Sequence, residues 1–336
     1  MPETILVTGA TGFVGHSLLE QLNQQGLPVI AWRNTTTQAN SSTRQTTPWK
    51  QAIRHVEVTW CQVDLLDRNA VTAAIAETNP EVIYHLATVA DVGNSWRHAS
   101  RTLAVNVLGT NNLLAALRST RVDTKIFIPG SAMIYGQSSE MLSEDAPLNP
   151  VSPYAMSKLA QELLVREYAT EHPQTVLLTR SFAHIGPHQK PYYAASNFAR
   201  QIAEIEAEHT EPTIHVGNLN SQRDLTDVRD IVRAYQLLVK CGRYGRIYNV
   251  CSGNAYRLGD ILDSLLSYSK VRVKIHVDSS LIRPSDNPLI LGNPSRIRDE
   301  IGWNPEIPIE RTLQDLLNYW RSVTENTRPM SGNSRT

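Results

Sequence analysis

The chain has 336 residues, with 32 basic and 32 acidic side chains and a formal net charge of zero. Balanced charge gives no whole-protein field for nucleic acid or an anionic membrane, so any anion site has to be local. The length suits one large α/β unit with an appended lobe, or two domains sharing an interface.

No apolar run approaches the ~20 residues of a membrane span, and the first residues lack the basic-then-apolar pattern of a signal peptide. A cytoplasmic protein without nucleic-acid or membrane partners is expected. Cys61, Cys241 and Cys251 are widely spaced and form no C-x-x-C pair. They are expected to be reduced core residues rather than a disulfide framework or a zinc site, and no metal is expected.

In chain order, residues 5–22 read as strand, tight turn and helix, because an apolar run breaks into glycines and resumes with helical spacing. Gly9 would allow the turn, Gly12 would let the backbone approach a pyrophosphate, and Gly15 would let helix and strand pack closely. A plain strand-to-helix turn can carry the same glycines. The position after an N-terminal strand favours a dinucleotide site on the helix N-terminus.

Residues 27–34 read as the second strand, which ends where such folds meet the adenosine ribose. An acid there would bond a free 2′-hydroxyl, whereas Arg33 offers a charge-assisted fork to a 2′-phosphate. NADP(H) is therefore favoured over NAD(H), with a solvated strand-end arginine as the alternative. Residues 34–55, rich in Thr, Ser, Gln and Asn, are expected to form a flexible surface excursion without chemistry.

An alternating strand over 55–63, a helix near 68–78 and a strand over 82–87 restore the α/β alternation of a parallel sheet. Asp64 stands where an acid can accept from the adenine amino group, and Leu86 and Ala87 end a strand at the cofactor edge. Capping and packing explain these residues equally well. Residues 95–120 have helical periodicity and carry Asn106, whose amide needs partners if buried.

The strand at 125–131 presents the Ser131 hydroxyl at its C-terminal end, the edge where open α/β sheets bind ligands. A helix follows from Tyr154 to about His172. Tyr154 and Lys158 are four apart and share one face, so the ammonium is placed to lower the phenol pKa from about 10.

The motifs T-G-A-T-G-F-V-G at 8–15, D-L at 64–65, H-L-A at 85–87, N-V-L-G-T-N-N-L-L at 106–114, S-A-M-I-Y-G at 131–136 and Y-A-M-S-K at 154–158 run through nearly the whole chain. Together they resemble the extended short-chain dehydrogenase/reductases that act on nucleotide sugars. The resemblance implies a doubly wound parallel (Rossmann) sheet with a smaller α/β substrate lobe. Residues 1–181 and 226–256 would form the NADP-binding domain, 182–225 and 257–325 the nucleotide-sugar lobe, and 326–336 a disordered tail.

By the same resemblance, Ser131, Tyr154 and Lys158 match the catalytic hydroxyl, acid/base and supporting lysine, and Asn106 matches the asparagine that completes a proton relay. Thr11, Phe13, Val14 and Leu65 join the cofactor contacts, and Lys158 would also hold the nicotinamide ribose. The family usually has Arg-Pro-Phe-Asn where this chain has Arg180-Ser181-Phe182-Ala183, which departs at Ser181, a candidate cofactor contact. The helices at 95–120 and 153–172 form a dimer interface in relatives, so a homodimer is implied.

Arg223 and Arg283 are candidate forks for a sugar diphosphate and Asp286 a candidate ribose acceptor, with Asn197 and His184 also on the substrate side. The segments G-P-H-Q-K at 186–190, the helix over 197–206 and the region from Arg283 to Trp303 are most similar to GDP-6-deoxy-4-keto-mannose reductases, near relatives of GDP-mannose 4,6-dehydratases. This implies NADPH-dependent reduction of a 4-keto-6-deoxy nucleotide sugar, with a 4-epimerase, a 4,6-dehydratase and a silent NADP-binding sensor as alternatives. Elimination needs a second acid/base, which related dehydratases place just after the catalytic hydroxyl. This chain has Ala132 and Met133 there, so elimination would need an acid from elsewhere, such as Glu140 or His184.

Overall fold

The computed structural model describes residues 4–34, 58–120, 124–282 and 287–326. The excursion expected over 34–55, beyond its first residue, the candidates Arg283 and Asp286, and the tail after Asn326 lie outside the described residues.

Seven parallel strands form the main sheet: β1 (Ile5–Thr8), β2 (Val29–Arg33), β3 (Val58–Gln62), β4 (Val82–His85), β5 (Lys125–Ser131), β6 (Val176–Ser181) and β10 (Ile247–Val250), in the order β10-β6-β5-β4-β1-β2-β3. The chain proceeds outward from β1 in one direction through β2 and β3 and in the other through β4 to β10. The crevice between the C-terminal ends of β1 and β4 is therefore the topological switch point, where such sheets bind ligands.

Successive strand side chains face opposite layers, and both layers are apolar because helices cover both faces. Ile5, Val7 and Tyr84 pack with Leu18, Leu19 and Leu22 of α1 (Phe13–Gln24) and with Ile231 and Leu238 of the helix Val228–Cys241. On the other face, Leu6, Ile83 and Ile126 pack with Ile75 of α2 (Arg68–Thr78), and with Leu113 and Val165 from two later helices. Asp67 caps α2 by accepting from Asn69 N and Ala70 N.

The helix expected over 95–120 is interrupted. A 3-10 turn at Asn94–Trp96 leads into α3 (Ala99–Leu103), a π-helical turn covers Ala104–Leu108, and α4 (Gly109–Thr120) follows. The wider turn holds the buried Asn106, consistent with π-bulges gathering at functional places. α5 (Pro153–Glu171) starts with Ser152 Oγ accepting from Ala155 N at 3.1 Å and with proline in its first turn.

After β6 the chain leaves the main sheet at Phe182. β7 (Ala183–Ile185), β9 (Gln222–Asp227), β11 (Ala255–Arg257) and β13 (Leu289–Ile290) form a second sheet, in which β9 pairs with the other three. β8 (Thr213–Val216) and β12 (Lys274–Val277) pair separately. α6 (Ala194–Glu206), α8 (Leu258–Ser267) and α10 (Ile309–Asn326) enclose a second core containing Phe198, Ile202, Leu262, Leu313 and Leu317. The helix Val228–Cys241 is α7, and Ser295–Ile301 is α9. β9 reaches Asp227 and β11 begins at Ala255, so both ends of the expected 226–256 segment belong to the lobe sheet.

Of the cysteines expected in the core, only Cys251 is buried. Cys61 is half-buried and Cys241 exposed, all three as free thiols. Cys241 falls at the open C-terminal end of α7, which explains its exposure. No helix among the described residues is long and apolar enough to cross a membrane.

Candidate active site

Gly9 adopts φ 67°, and a Cβ there would lie 2.5 Å from Ala87 N. At Gly15 a Cβ would lie 2.4 Å from Gly9 O. Neither position admits a side chain, so the turn is compact for the reasons the glycine spacing suggested. Gly12 is the N-cap of α1, and no side chain caps the helix. Its first N–H groups are thus not taken by a capping oxygen and are oriented for an anion.

Arg33 ends β2 with its Nε buried and without a hydrogen-bond partner. A buried guanidinium donor without a partner at this strand end suits an anionic group. Asp64 caps the next turn, one carboxylate oxygen accepting from Leu66 N at 3.0 Å. Leu65 and Leu86 are buried, and Ala87 N donates to Thr8 Oγ1 at 3.3 Å. Phe13 stacks on His184 with ring centroids 5.9 Å apart, joining the turn to the start of the lobe. Thr11 is exposed and Val14 half-buried beside the core. Open backbone donors, excluded side chains and an unpaired arginine together fit a dinucleotide.

At the C-terminal end of β5, Ser131 lies close enough to the Tyr154 phenol, which α5 presents, for its hydroxyl to act on the phenol's pKa. Ser131 Oγ also accepts from Met133 N at 3.2 Å. Tyr154 is buried, and burial raises its pKa above the ordinary value despite the opposing effect of the Ser131 hydroxyl. This corrects the expected lowering by Lys158: in the protein alone desolvation dominates and the phenol holds its proton. The Tyr192 phenol adds to the upward shift.

Lys158 is itself buried, and desolvation lowers its pKa to about 7 against a smaller opposing effect of Glu162. Its Nζ donates to Pro129 O at 2.7 Å and to Gln161 Oε1. An ammonium has three donors, so one remains for a further acceptor. The amide of Asn106 is fully used: it accepts from Thr88 Oγ1 and Val89 N at 2.9 and 2.8 Å and donates to Val89 O and Ser157 Oγ. Asn106 thus meets α5 at Ser157, while the polar partner of Lys158 is Gln161.

Gln161 extends a buried chain. Its Nε2 donates to Thr110 Oγ1 at 2.7 Å, and His85 Nε2 meets the same oxygen at 3.0 Å. His85 Nδ1 meets Thr8 Oγ1 at 2.8 Å, at the switch point. Burial holds the His85 pKa at about 3, so the ring is neutral.

Ser181 stands in register with Ser131 on the neighbouring strand, and its hydroxyl is bonded to Tyr235 at 2.7 Å. Behind the site, Arg180 makes a two-pronged ion pair with Glu162 and donates to Tyr135 Oη and Glu144 O. Ala132 is buried and Met133 half-buried beside Ser131, while Glu140 lies exposed. His184 Nδ1 is bonded to Phe182 O at 2.9 Å.

On the substrate side the candidates are more dispersed. Asn197 Oδ1 accepts from Arg200 on α6. Arg223 on β9 donates to Gln222 O and Asn287 O, both at 2.8 Å. Sequence reasoning passed over Tyr192, whose phenol influences Tyr154, and Tyr193, which both of these phenols influence. The only local signal was the Tyr-Tyr pair after Pro191.

The sequence model described as GDP-mannose 4,6 dehydratase matches residues 6–316. The chain is 32% identical to a GDP-6-deoxy-D-mannose reductase of Pseudomonas aeruginosa over 326 residues, covering 96% of this chain and 98% of that protein. It is 29% identical to a UDP-glucose 4-epimerase of Bacillus subtilis, over 96% of this chain and 97% of the relative. The solved structure of RMD from Pseudomonas aeruginosa complexed with NADPH superposes with a TM-score of 0.77 at 30% identity, covering 95% of this chain and 99% of that one.

Proposed function

The chain belongs to the GDP-mannose 4,6 dehydratase family of NAD(P)-dependent nucleotide-sugar enzymes, and from that premise we propose that it is an NADPH-dependent reductase of a nucleotide-linked 4-keto-6-deoxy sugar, GDP-4-keto-6-deoxymannose. The observation that carries the reading is the buried Tyr154 beside Ser131 at the end of β5, where burial favours the protonated phenol. Reduction of a ketone needs one proton donor and elimination needs a second acid/base. Ala132 and Met133 carry none, Glu140 is exposed, and His184 is turned to Phe182 O and stacked on Phe13.

NADPH, held by the turn from Gly9 to Gly15 and by Arg33, supplies a hydride to the sugar carbonyl carbon when bound. Tyr154 gives its proton to the developing alkoxide, and Ser131 steadies that oxygen. Lys158 holds positive charge near the phenol as it becomes phenolate, and its remaining N–H serves the nicotinamide ribose. Asp64, Leu65, Leu86 and Ala87 line the adenosine side, and Ser181 the nicotinamide side.

The lobe formed mainly by residues 182–225 and 257–325 takes the nucleotide sugar. Within it we assign Arg223 and Arg283 to the diphosphate, and Asp286, Asn197 and His184 to the ribose and sugar, Arg283 and Asp286 from their place in the sequence. Leu103, Leu108, Met156 and Leu163 leave an exposed apolar face on α3 to α5, a patch that supports a homodimer.

NADPH oxidation measured against GDP-, UDP- and dTDP-linked 4-keto-6-deoxy sugars tests the reading, with the GDP sugar expected to turn over fastest. Catalytic loss of one water from GDP-mannose in the presence of NADP would overturn it in favour of a dehydratase. Conversion of a UDP-sugar without net NADPH oxidation would make the protein an epimerase.

A further inference from the structure

Away from Tyr154, three groups capable of binding a metal come together from distant parts of the chain. His16 and Glu20 lie one turn apart on α1, His16 Nδ1 being 3.7 Å from Glu20 Oε1. His188 reaches them from the loop between β7 and α6, and one ligating atom from each residue falls within 4.8 Å of the others. The two imidazole centroids are 4.0 Å apart, and the ring of Tyr319 on α10 packs on His188 at 4.6 Å.

The loop carrying His188 is tied down on both sides. Gln189 Nε2 donates to His184 O at 2.7 Å, and Ser196 Oγ donates to Gln189 O at 2.7 Å. A second feature indicates an unmet need: His16 is only 4% exposed, yet its Nε2 is buried without a hydrogen-bond partner. Simple ring stacking explains the imidazole contact but leaves that nitrogen unsatisfied.

We propose that His16, Glu20 and His188 form a binding site for a divalent cation of the zinc class, bridging the nucleotide-binding helix and the substrate lobe. Two imidazoles and a carboxylate are a donor set suited to zinc, with water as a fourth ligand. Burial lowers both imidazoles to about 4, so each offers an unprotonated nitrogen at neutral pH. Arg229, whose charge reaches Glu20, is already paired with Asp227 and Asp315 and does not compete for the carboxylate as a bonded partner.

Tetrahedral zinc with ligands at about 2.0–2.1 Å would bring donor atoms to roughly 3.4 Å of one another. The groups must therefore close by on the order of an ångström, and the Glu20 side chain, 41% exposed, is free to supply much of that movement. His16 directly follows Gly15, so a cation held here would brace the nucleotide turn against the lobe.

The probe is zinc chloride, titrated calorimetrically into the chelator-treated full chain without cofactor. One zinc per chain is expected, together with a rise in Tm through preferential binding to the folded state. His188→Gln and Glu20→Gln should each weaken binding at least about tenfold, with metal-free circular dichroism unchanged. His276→Gln should leave binding intact, because His276 belongs to a separate pair with His215, 5.1 Å between centroids. Absence of saturable binding below about 100 µM zinc, wild-type affinity in both the His188 and Glu20 variants, or loss of binding in His276→Gln would overturn the proposal. Should His188→Gln fold poorly, Glu20→Gln at a half-exposed position decides alone.

Discussion

Ser131 and Ser181 face each other in register on neighbouring parallel strands, and each meets a different tyrosine: the Ser181 hydroxyl is bonded to Tyr235, and the Ser131 hydroxyl acts on the Tyr154 phenol. One sheet edge therefore carries two serine–tyrosine pairs. Both phenols are buried and pushed upward by desolvation. What separates them is the scaffold: Tyr154 shares a helix face with Lys158, whereas Tyr235 comes from α7, among the apolar residues beneath the sheet.

The two pairs should respond differently to loss of a hydroxyl. Tyr154→Phe should reduce kcat by about 10²–10⁴ through loss of the proton donor, with Tm little changed. Tyr235→Phe should cost about 0.5–1.5 kcal/mol of stability, the net value of a buried hydrogen bond, while kcat stays within a few-fold. Steady-state kinetics and urea unfolding on both variants check this, and similar kinetic losses would place Tyr235 in the chemistry.

Arg33 provides a prediction independent of the reacting carbon. Its buried, unpaired Nε gains a partner if a 2′-phosphate binds there. Arg33→Ala should weaken NADPH binding about ten- to a hundred-fold and leave NADH binding unchanged. Fluorescence titration of the two reduced cofactors measures both constants, and an equal loss for each would remove the 2′-phosphate from the explanation.

Lys158 connects the site to stability. Its pKa falls from 10.5 to about 7 on burial, so between those values the unfolded chain binds a proton that the folded chain does not. Stability therefore rises with pH across that window by up to roughly 1.4 kcal/mol per pH unit. Below about pH 7 both states are protonated and the penalty is constant. Lys158→Met removes this titration, so wild type should gain stability relative to the variant between pH 7 and pH 9.5. Urea unfolding of both proteins at several pH values gives the slope, and parallel profiles would refute the shift.

Much of this architecture was legible because the signals are local. Gly9 and Gly15 are fixed by turn geometry within one strand–helix unit, and Tyr154 and Lys158 by one helical turn. The alternation of elements gave the parallel sheet. What escaped depends on packing between distant segments: Tyr235 reaches Ser181 across 54 residues and Thr110 reaches Gln161 across 51. Spacing also placed the Lys158 charge but not the burial of the Tyr154 phenol, so the direction of the Tyr154 shift came out reversed. One nitrogen of the fork expected of Arg223, Nη1, is engaged by the carbonyls of Gln222 and Asn287, a consequence of strand pairing that composition does not encode.

The chain from Lys158 to the switch point allows its protons to be placed. Thr110 Oγ1 donates to Asn106 O at 2.8 Å, and a hydroxyl has only one proton. It must therefore accept from both Gln161 Nε2 and His85 Nε2. His85 consequently carries its proton on Nε2, and its Nδ1 accepts from Thr8 Oγ1, which in turn accepts from Ala87 N. With the amide thus oriented, Gln161 can offer Lys158 only its carbonyl oxygen, which favours the charged ammonium. Gln161→Leu would remove that acceptor from a buried cation and a donor from Thr110. The lysine should then lose its proton at lower pH, moving the kcat/KM profile toward acid by about half to one pH unit, since one neutral-to-charged hydrogen bond is worth roughly 1.5–3 kcal/mol before relaxation. Gln161→Glu, which keeps an acceptor and adds negative charge, should move the profile the other way. A pH series of kcat/KM on the two variants reads this directly, and unshifted or parallel profiles would confine Gln161 to packing.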